Sequence, residues 1–130
     1  PGKKPLCNMG TMLVLKDGKR FMALGSPGGR KIINCNLQVF SNVVDFSMEM
    51  QEAITAPRID ASTRVTLYDD RIDPGAVARL GARGHALRAV PEVNPGFGGE
   101  FAKPTAVRVG EDGLLSGGVE TFRPAQAIGL

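Results

Sequence analysis

The stretch 22-MALGSPGGRKIIN-34 decides how the rest of the chain is read. An apolar run suited to a buried strand meets Ser-Pro-Gly-Gly, and an apolar run suited to a helix starts almost at once. Paired glycines at such a junction do one of two things. They bare backbone N–H groups to an anion, since the first N–H groups of a helix have no acceptor inside it, or they let the chain turn tightly. An isolated Gly pair is a weak signal, and the local pattern by itself favours the turn.

Upstream, residues 11–16 (TMLVLK) and 20–24 (RFMAL) are two apolar runs joined through Asp17-Gly18. Asp-Gly between such runs predicts a two-residue hairpin, because both central residues need positive φ. Met12, Leu13, Val14 and Leu15 are apolar in succession, the pattern of a strand covered on both faces, so we expect a sheet between layers. Downstream, residues 31–46 switch to a helical period. Ile33, Leu37, Phe40 and Val44 form one stripe and Ile32, Val39 and Val43 an adjacent one, together about half the circumference. Asn36 falls inside that arc and needs a hydrogen-bond partner there.

Further along, Ser47 is placed to cap a short helix over residues 48–55, which Pro57 stops. Residues 64–68 (RVTLY) read as a strand. Asp73 as N-cap and Pro74 at the first position open a helix through Ala82, closed by Gly84. Strands follow at residues 86–90 and 105–109, with a Gly/Pro-rich loop between them at 91–104. A turn at residues 111–113 precedes a loose tail at 116–130. No repeat and no domain boundary is visible, so residues 1–130 are read as one domain.

The 130 residues suffice for a real core. With 42% hydrophobic and 22% charged residues the composition is that of a soluble globular chain. Nucleic-acid binding is disfavoured: the net charge is only +3, the arginines are scattered, and aromatic residues make up 5% with no Trp. No segment reaches the ~20 apolar residues of a membrane span. Cys7, Cys35 and His85 lack zinc-ligand spacing, and two buried thiols are the commoner reading of the cysteines. No cofactor is implied. The start Pro-Gly-Lys-Lys-Pro, with no Met, leads us to expect a piece of a longer protein, and it leaves the compartment unassigned.

No complete active site emerges from these residues. His85 lies just past a helix stop, where a surface role is ordinary. Cys7 and Cys35 lack a neighbour that would activate a thiol. Asp69-Asp70 and Glu111-Asp112 read as turns with solvated charges, and Gly98-Gly99 as loop flexibility.

The order of segments carries more than any one motif. Residues 1–9 (PGKKPLCNM), then LVLKDGKRFMALGSPGGRKIIN, then LQVFSNVVDFSMEMQEAITAPRID resemble the C-terminal part of the gamma-glutamyltransferase small subunit, almost unbroken over residues 1–60. The likeness continues more loosely through RLGARGH and GGVETFRP. It implies an α+β chain, part of the αββα sandwich of the N-terminal-nucleophile hydrolases. Such enzymes self-cleave to expose a threonine that attacks a gamma-glutamyl amide, with the threonine's own α-amino group as base. The acyl group then passes to water or an amino acid.

Carried over by position, the resemblance makes Gly28 and Gly29 the oxyanion-hole glycines. Residues 5–9 (PLCNM) stand where the family has PLSSM, whose two serine hydroxyls help hold the glutamyl α-carboxylate. Cys7 and Asn8 are therefore the substrate-binding candidates. Asn8 retains an amide donor, whereas a thiol is a poor one. The replacement also admits a related acylase for a non-glutamyl amide, as the cephalosporin acylases of this family are, or a non-enzymatic binding relative. The catalytic threonine and the large subunit, which supplies an arginine for the carboxylate, are expected upstream. Taken alone, the chain is expected to be inactive, and to pair with those missing parts or with another copy of itself.

Overall fold

The computed structural model describes residues 1–5, 7–91, 100–121 and 126–128. Its elements are β1 (Met12–Lys16), β2 (Lys19–Gly25), a 3-10 turn (Gly29–Lys31), α1 (Ile32–Val44), α2 (Met50–Thr55), β3 (Ile59–Asp60), β4 (Thr66–Asp69), α3 (Pro74–Ala82), β5 (Leu87–Val90), β6 (Thr105–Val109) and β7 (Leu115–Val119). Gly98-Gly99 and residues 122–125 of the tail lie outside the described residues.

The Asp17-Gly18 hairpin forms as the sequence predicts, with φ of 52° and 75° at its two central residues. It seeds an antiparallel sheet in the order β1-β2-β6-β7. The register lines up Met12, Leu24, Ala106 and Gly118 as one row across all four strands. Because strand side chains alternate, that row shares a face with Val14 and Met22. On this face α1 and α2 supply Cys35, Val39, Val43, Met50, Ala53 and Ile54 to a single core with Met22 and Leu24. The opposite face carries Leu13 and Val107, in register through Ala23, with Leu15 further along β1.

That opposite face corrects the expectation of a doubly covered strand. Leu13 and Leu15 are 82% and 64% exposed, and so are Ile33 and Leu37 on the outer side of α1, at 59% and 62%. The sequence writes these positions as core, but the described elements cover only one side of the sheet. A helix layer on one sheet, with an apolar second face, is one half of an αββα sandwich.

Two helix boundaries test local reading. At α3, the Asp73 side chain accepts from the Ala76 N–H at 2.9 Å, Pro74 sits at the first turn, and Gly84 takes φ 88°. The Asp-Pro…Gly pattern is thus realised as read. Ser47 is not the cap of α2. It adopts φ 54° in the turn, and the cap position falls to Glu49, which makes no side-chain capping bond.

Strands β3 and β7 are absent from the sequence reading, for physical reasons. Strand β3 has two residues, and a helix side chain secures it: Gln38 accepts from the Ile59 N–H at 2.9 Å and donates to its carbonyl at 2.8 Å. Strand β7 contains Gly117-Gly118 and little β-propensity. Gln51 of α2 exchanges the same pair of bonds with Val119, at 2.9 and 3.1 Å. A Cβ on Gly118 would stand 2.9 Å from Ile54 Cδ1 and 3.0 Å from the Met50 carbonyl, so the glycine is what lets α2 lie on the sheet. The second sheet, β3-β4-β5, joins β4 and β5 in parallel through α3, with Leu67, Val90 and Phe101 packed together.

Candidate active site

The Ser-Pro-Gly-Gly stretch links β2 to the helical segment that begins at Gly29. Gly28 has φ 153° and Gly29 φ 60°, both in the region that favours glycine. The Gly28 carbonyl accepts from the Lys31 N–H at 3.3 Å, and the Gly29 carbonyl from the Ile32 N–H. Their own N–H groups lie at the open end of the helix, where no described residue accepts from them. The first turn holds no acid and carries Arg30 and Lys31, so its field favours an anion.

Gly28 is pressed onto the segment Glu100-Phe101-Ala102-Lys103. A Cβ at Gly28 would lie 2.5 Å from the Ala102 Cβ and 2.8 Å from its Cα, whereas one at Gly29 would meet nothing within 4 Å. The Lys103 N–H donates to the Pro27 carbonyl at 3.0 Å. Lys31 Nζ donates to the Glu100 carbonyl and pairs with its carboxylate at 3.3 Å. The Cys35 thiol lies 3.8 Å from the Ala102 carbonyl. The sequence predicts a Gly/Pro-rich loop over residues 91–104, yet Phe101, Ala102, Lys103 and Pro104 are buried. This brace joins residues about 70 positions apart, and no local pattern signals it.

Cys7 and Asn8 are exposed in the segment ahead of β1. Cys7 is an exposed thiol, which corrects the expectation of two buried ones; Cys35 is buried, and neither is in a disulfide. Among the described residues no hydrogen bond or ion pair joins Cys7 or Asn8 directly to Gly28 or Gly29. Both stretches are instead tethered to Asn36, which is 1% exposed. Asn36 Oδ1 accepts from Ser26 Oγ at 2.9 Å, and Asn36 Nδ2 donates to the Gly10 carbonyl at 2.7 Å.

His85 is exposed just past α3, as its position in the sequence suggests. Asp69 departs from the solvated-turn reading: it is 1% exposed in β4, with Arg71 Nη2 at 2.5 Å. Burial pushes its carboxyl up, but hydrogen bonds from the Arg71 side chain and backbone, then the charges of Arg71 and Arg58, hold it below the ordinary 3.8. A pair buried on both sides joins the runs APRID and GGVET, and no local pattern signals it. Arg58 Nη2 meets Glu120 Oε2 at 2.6 Å with both side chains 3% exposed, and Arg58 also donates to the Ile54 carbonyl. Among the described residues no cluster of His, Cys, Asp and Glu suits a metal ion, and no helix is long and apolar enough to cross a membrane.

This α+β chain has the fold of the N-terminal-nucleophile hydrolases, since solved structures of that class superpose on it. Gamma-glutamyltranspeptidase from Helicobacter pylori, as its T380A mutant, matches with a TM-score of 0.78 at 27% identity, over 94% of this chain and 64% of that one. The Pseudomonas nitroreducens enzyme complexed with L-DON matches with a TM-score of 0.79 at 25% identity, over 100% and 66%. The gamma-glutamyltranspeptidase family matches residues 1–130, and the chain belongs to that family.

Among curated relatives, the acylase ACY 1 proenzyme of Pseudomonas sp. (strain SE83) is 34% identical over 90% of this chain. The glutathione hydrolase proenzyme of Bacillus subtilis (strain 168) is 27% identical over 100% of it. The chain spans only 20% and 21% of those two proteins.

Proposed function

We propose that this chain forms the oxyanion hole and part of the acyl pocket of a gamma-glutamyltranspeptidase-like enzyme, one that cleaves gamma-glutamyl amides and passes the acyl group to water or an amino acid. The observation that carries the reading is the Gly28-Gly29 pair, with unclaimed N–H groups at a helix start and a buried brace behind it, in a chain of this family. In the reaction, a threonine freed by self-cleavage elsewhere in the protein attacks the amide carbonyl. The oxygen takes up negative charge, and the Gly28 and Gly29 N–H groups donate to it. One such donor is worth about 3–4 kcal/mol in the transition state. Collapse of the tetrahedral intermediate expels the amine and leaves the acyl-enzyme for water or an acceptor amine. Cys7 and Asn8 face the acyl group's α-carboxylate.

On this reading the chain alone is inactive. Its apolar outer surface at Leu13, Leu15, Ile33 and Leu37 is covered by the rest of the enzyme. The full-length protein, once purified, should cleave itself and release the chromophore from a gamma-glutamyl anilide. A protein that stays uncleaved and silent on that substrate overturns the proposal.

A second reading is an acylase for a non-glutamyl amide. It is favoured by Cys7-Asn8 at the carboxylate-binding positions, and by the 34% identity to an acylase proenzyme. Anilides whose acyl group lacks the α-carboxylate separate the two: an acylase turns them over faster than the gamma-glutamyl anilide.

A further inference from the structure

Asn36 is a polar residue in an apolar row, on the buried side of α1 with Ile32, Cys35, Val39 and Val43. If that position served packing alone, an aliphatic side chain would fill it with no amide to desolvate. What an amide adds is direction, and both of its polar atoms reach outside the helix. The oxygen takes the Ser26 hydroxyl, two residues before Gly28. The nitrogen holds the Gly10 carbonyl, two residues after Asn8.

We propose that Asn36 is a positioning residue that fixes the oxyanion loop and the acyl-recognition segment relative to each other, through Ser26 on one side and Gly10 on the other. The inference rests on the roles given above to residues 7–8 and 28–29. A transition state needs the oxyanion donors and the acyl-carboxylate donors at one fixed separation, since a shift of about 1 Å can cost roughly 10²-fold in rate. Neither pair bonds to the other, and one rigid carboxamide on a core helix spans the gap.

The two arms are separable by mutation. Ser26→Ala frees only the oxyanion loop, so kcat should fall about tenfold with KM for the acyl donor nearly unchanged. Asn36→Asp keeps the acceptor for Ser26 and loses the donor to Gly10, so its main effect should be a raised KM. Asn36→Val suits the apolar surroundings, keeps the fold and frees both arms. It should lower kcat and raise KM together, by about 10²-fold in kcat/KM.

The test is steady-state kinetics of these variants in the full-length protein, with hydrogen exchange of residues 7–11 and 25–29 measured alongside. Faster exchange in both segments of Asn36→Val, together with the kcat and KM split, supports the proposal. Wild-type kinetics and exchange in that variant, or a lower melting temperature with both unchanged, overturns it. A wild-type protein with no gamma-glutamyl or acyl amide activity defeats the functional reading instead. The exchange comparison still decides whether Asn36 couples the two segments.

Discussion

Gly28 and Ala102 are in backbone contact: a Cβ added to Gly28 would lie 2.8 Å from the Ala102 Cα, which cannot rotate away. The neighbouring glycine has open space where its Cβ would be. The two halves of the pair are therefore constrained differently, although the sequence shows them as equals.

The contrast gives a first prediction. Gly28→Ala must push the loop off residues 100–103, so the full-length enzyme should lose about 10²-fold or more in kcat. Gly29→Ala keeps its N–H and meets no atom. It costs about 1–2 kcal/mol for the φ of 60°, and should retain activity within about tenfold. Parallel assays of the two variants decide this, and equal losses would show that the Ala102 contact does not set the loop.

The Arg58–Glu120 pair gives a stability prediction. Removing Glu120 takes away the carboxylate that the Arg58 guanidinium, 3% exposed, meets at 2.6 Å, so Glu120→Ala should destabilise by about 3–5 kcal/mol. Replacing both members with leucine removes the two buried charges together and should cost less. Urea midpoints of the single and double variants test it. A double variant as unstable as the single one would mean that packing, rather than the lost charge pairing, dominates.

Asp69 predicts a pH dependence. Its folded-state value is held below its unfolded one, so the unfolded chain binds more protons as pH falls toward and below the ordinary 3.8. Stability from this group is present above that value and is lost as pH drops through the lower folded value. Arg71→Ala removes the largest lowering influence and leaves the burial, so the acid loss should begin at higher pH. Thermal melts of wild type and variant between pH 3 and 7, on the order of the carboxylate range, should converge at the acid end and diverge toward neutrality.

These cases also show which parts of the fold local sequence encodes. The hairpin at Asp17-Gly18 and helix α3 are legible because their signals lie within a few residues of what they control. Asn36 is legible in part: its place on the apolar arc demands partners, but Ser26 and Gly10 cannot be read from the helix. The brace at Ala102, strand β3 held by Gln38, and strand β7 held by Gln51 rest on contacts far apart in sequence. The Arg58–Glu120 pair is of the same kind, with 62 positions between its members. For the proposed site, family likeness points to the glycines, while what fixes their geometry is long-range and visible only in the fold.

The last prediction concerns specificity. Cys7 and Asn8 occupy the positions where the family resemblance places two serines, and a thiol donates weakly to a carboxylate. A hydrogen bond to a charged group contributes about 1.5–3 kcal/mol, or roughly 10- to 100-fold in affinity. Restoring the hydroxyls with Cys7→Ser and Asn8→Ser should therefore lower KM for a gamma-glutamyl anilide by about tenfold or more. It should leave KM unchanged for an acyl anilide that lacks the α-carboxylate. Both residues are exposed and outside the core, so folding should be unaffected. The ratio of kcat/KM for the two substrates, compared before and after the exchange, is the measurement. If the ratio does not move, Cys7 and Asn8 do not face the α-carboxylate, and the acyl group is selected elsewhere in the protein.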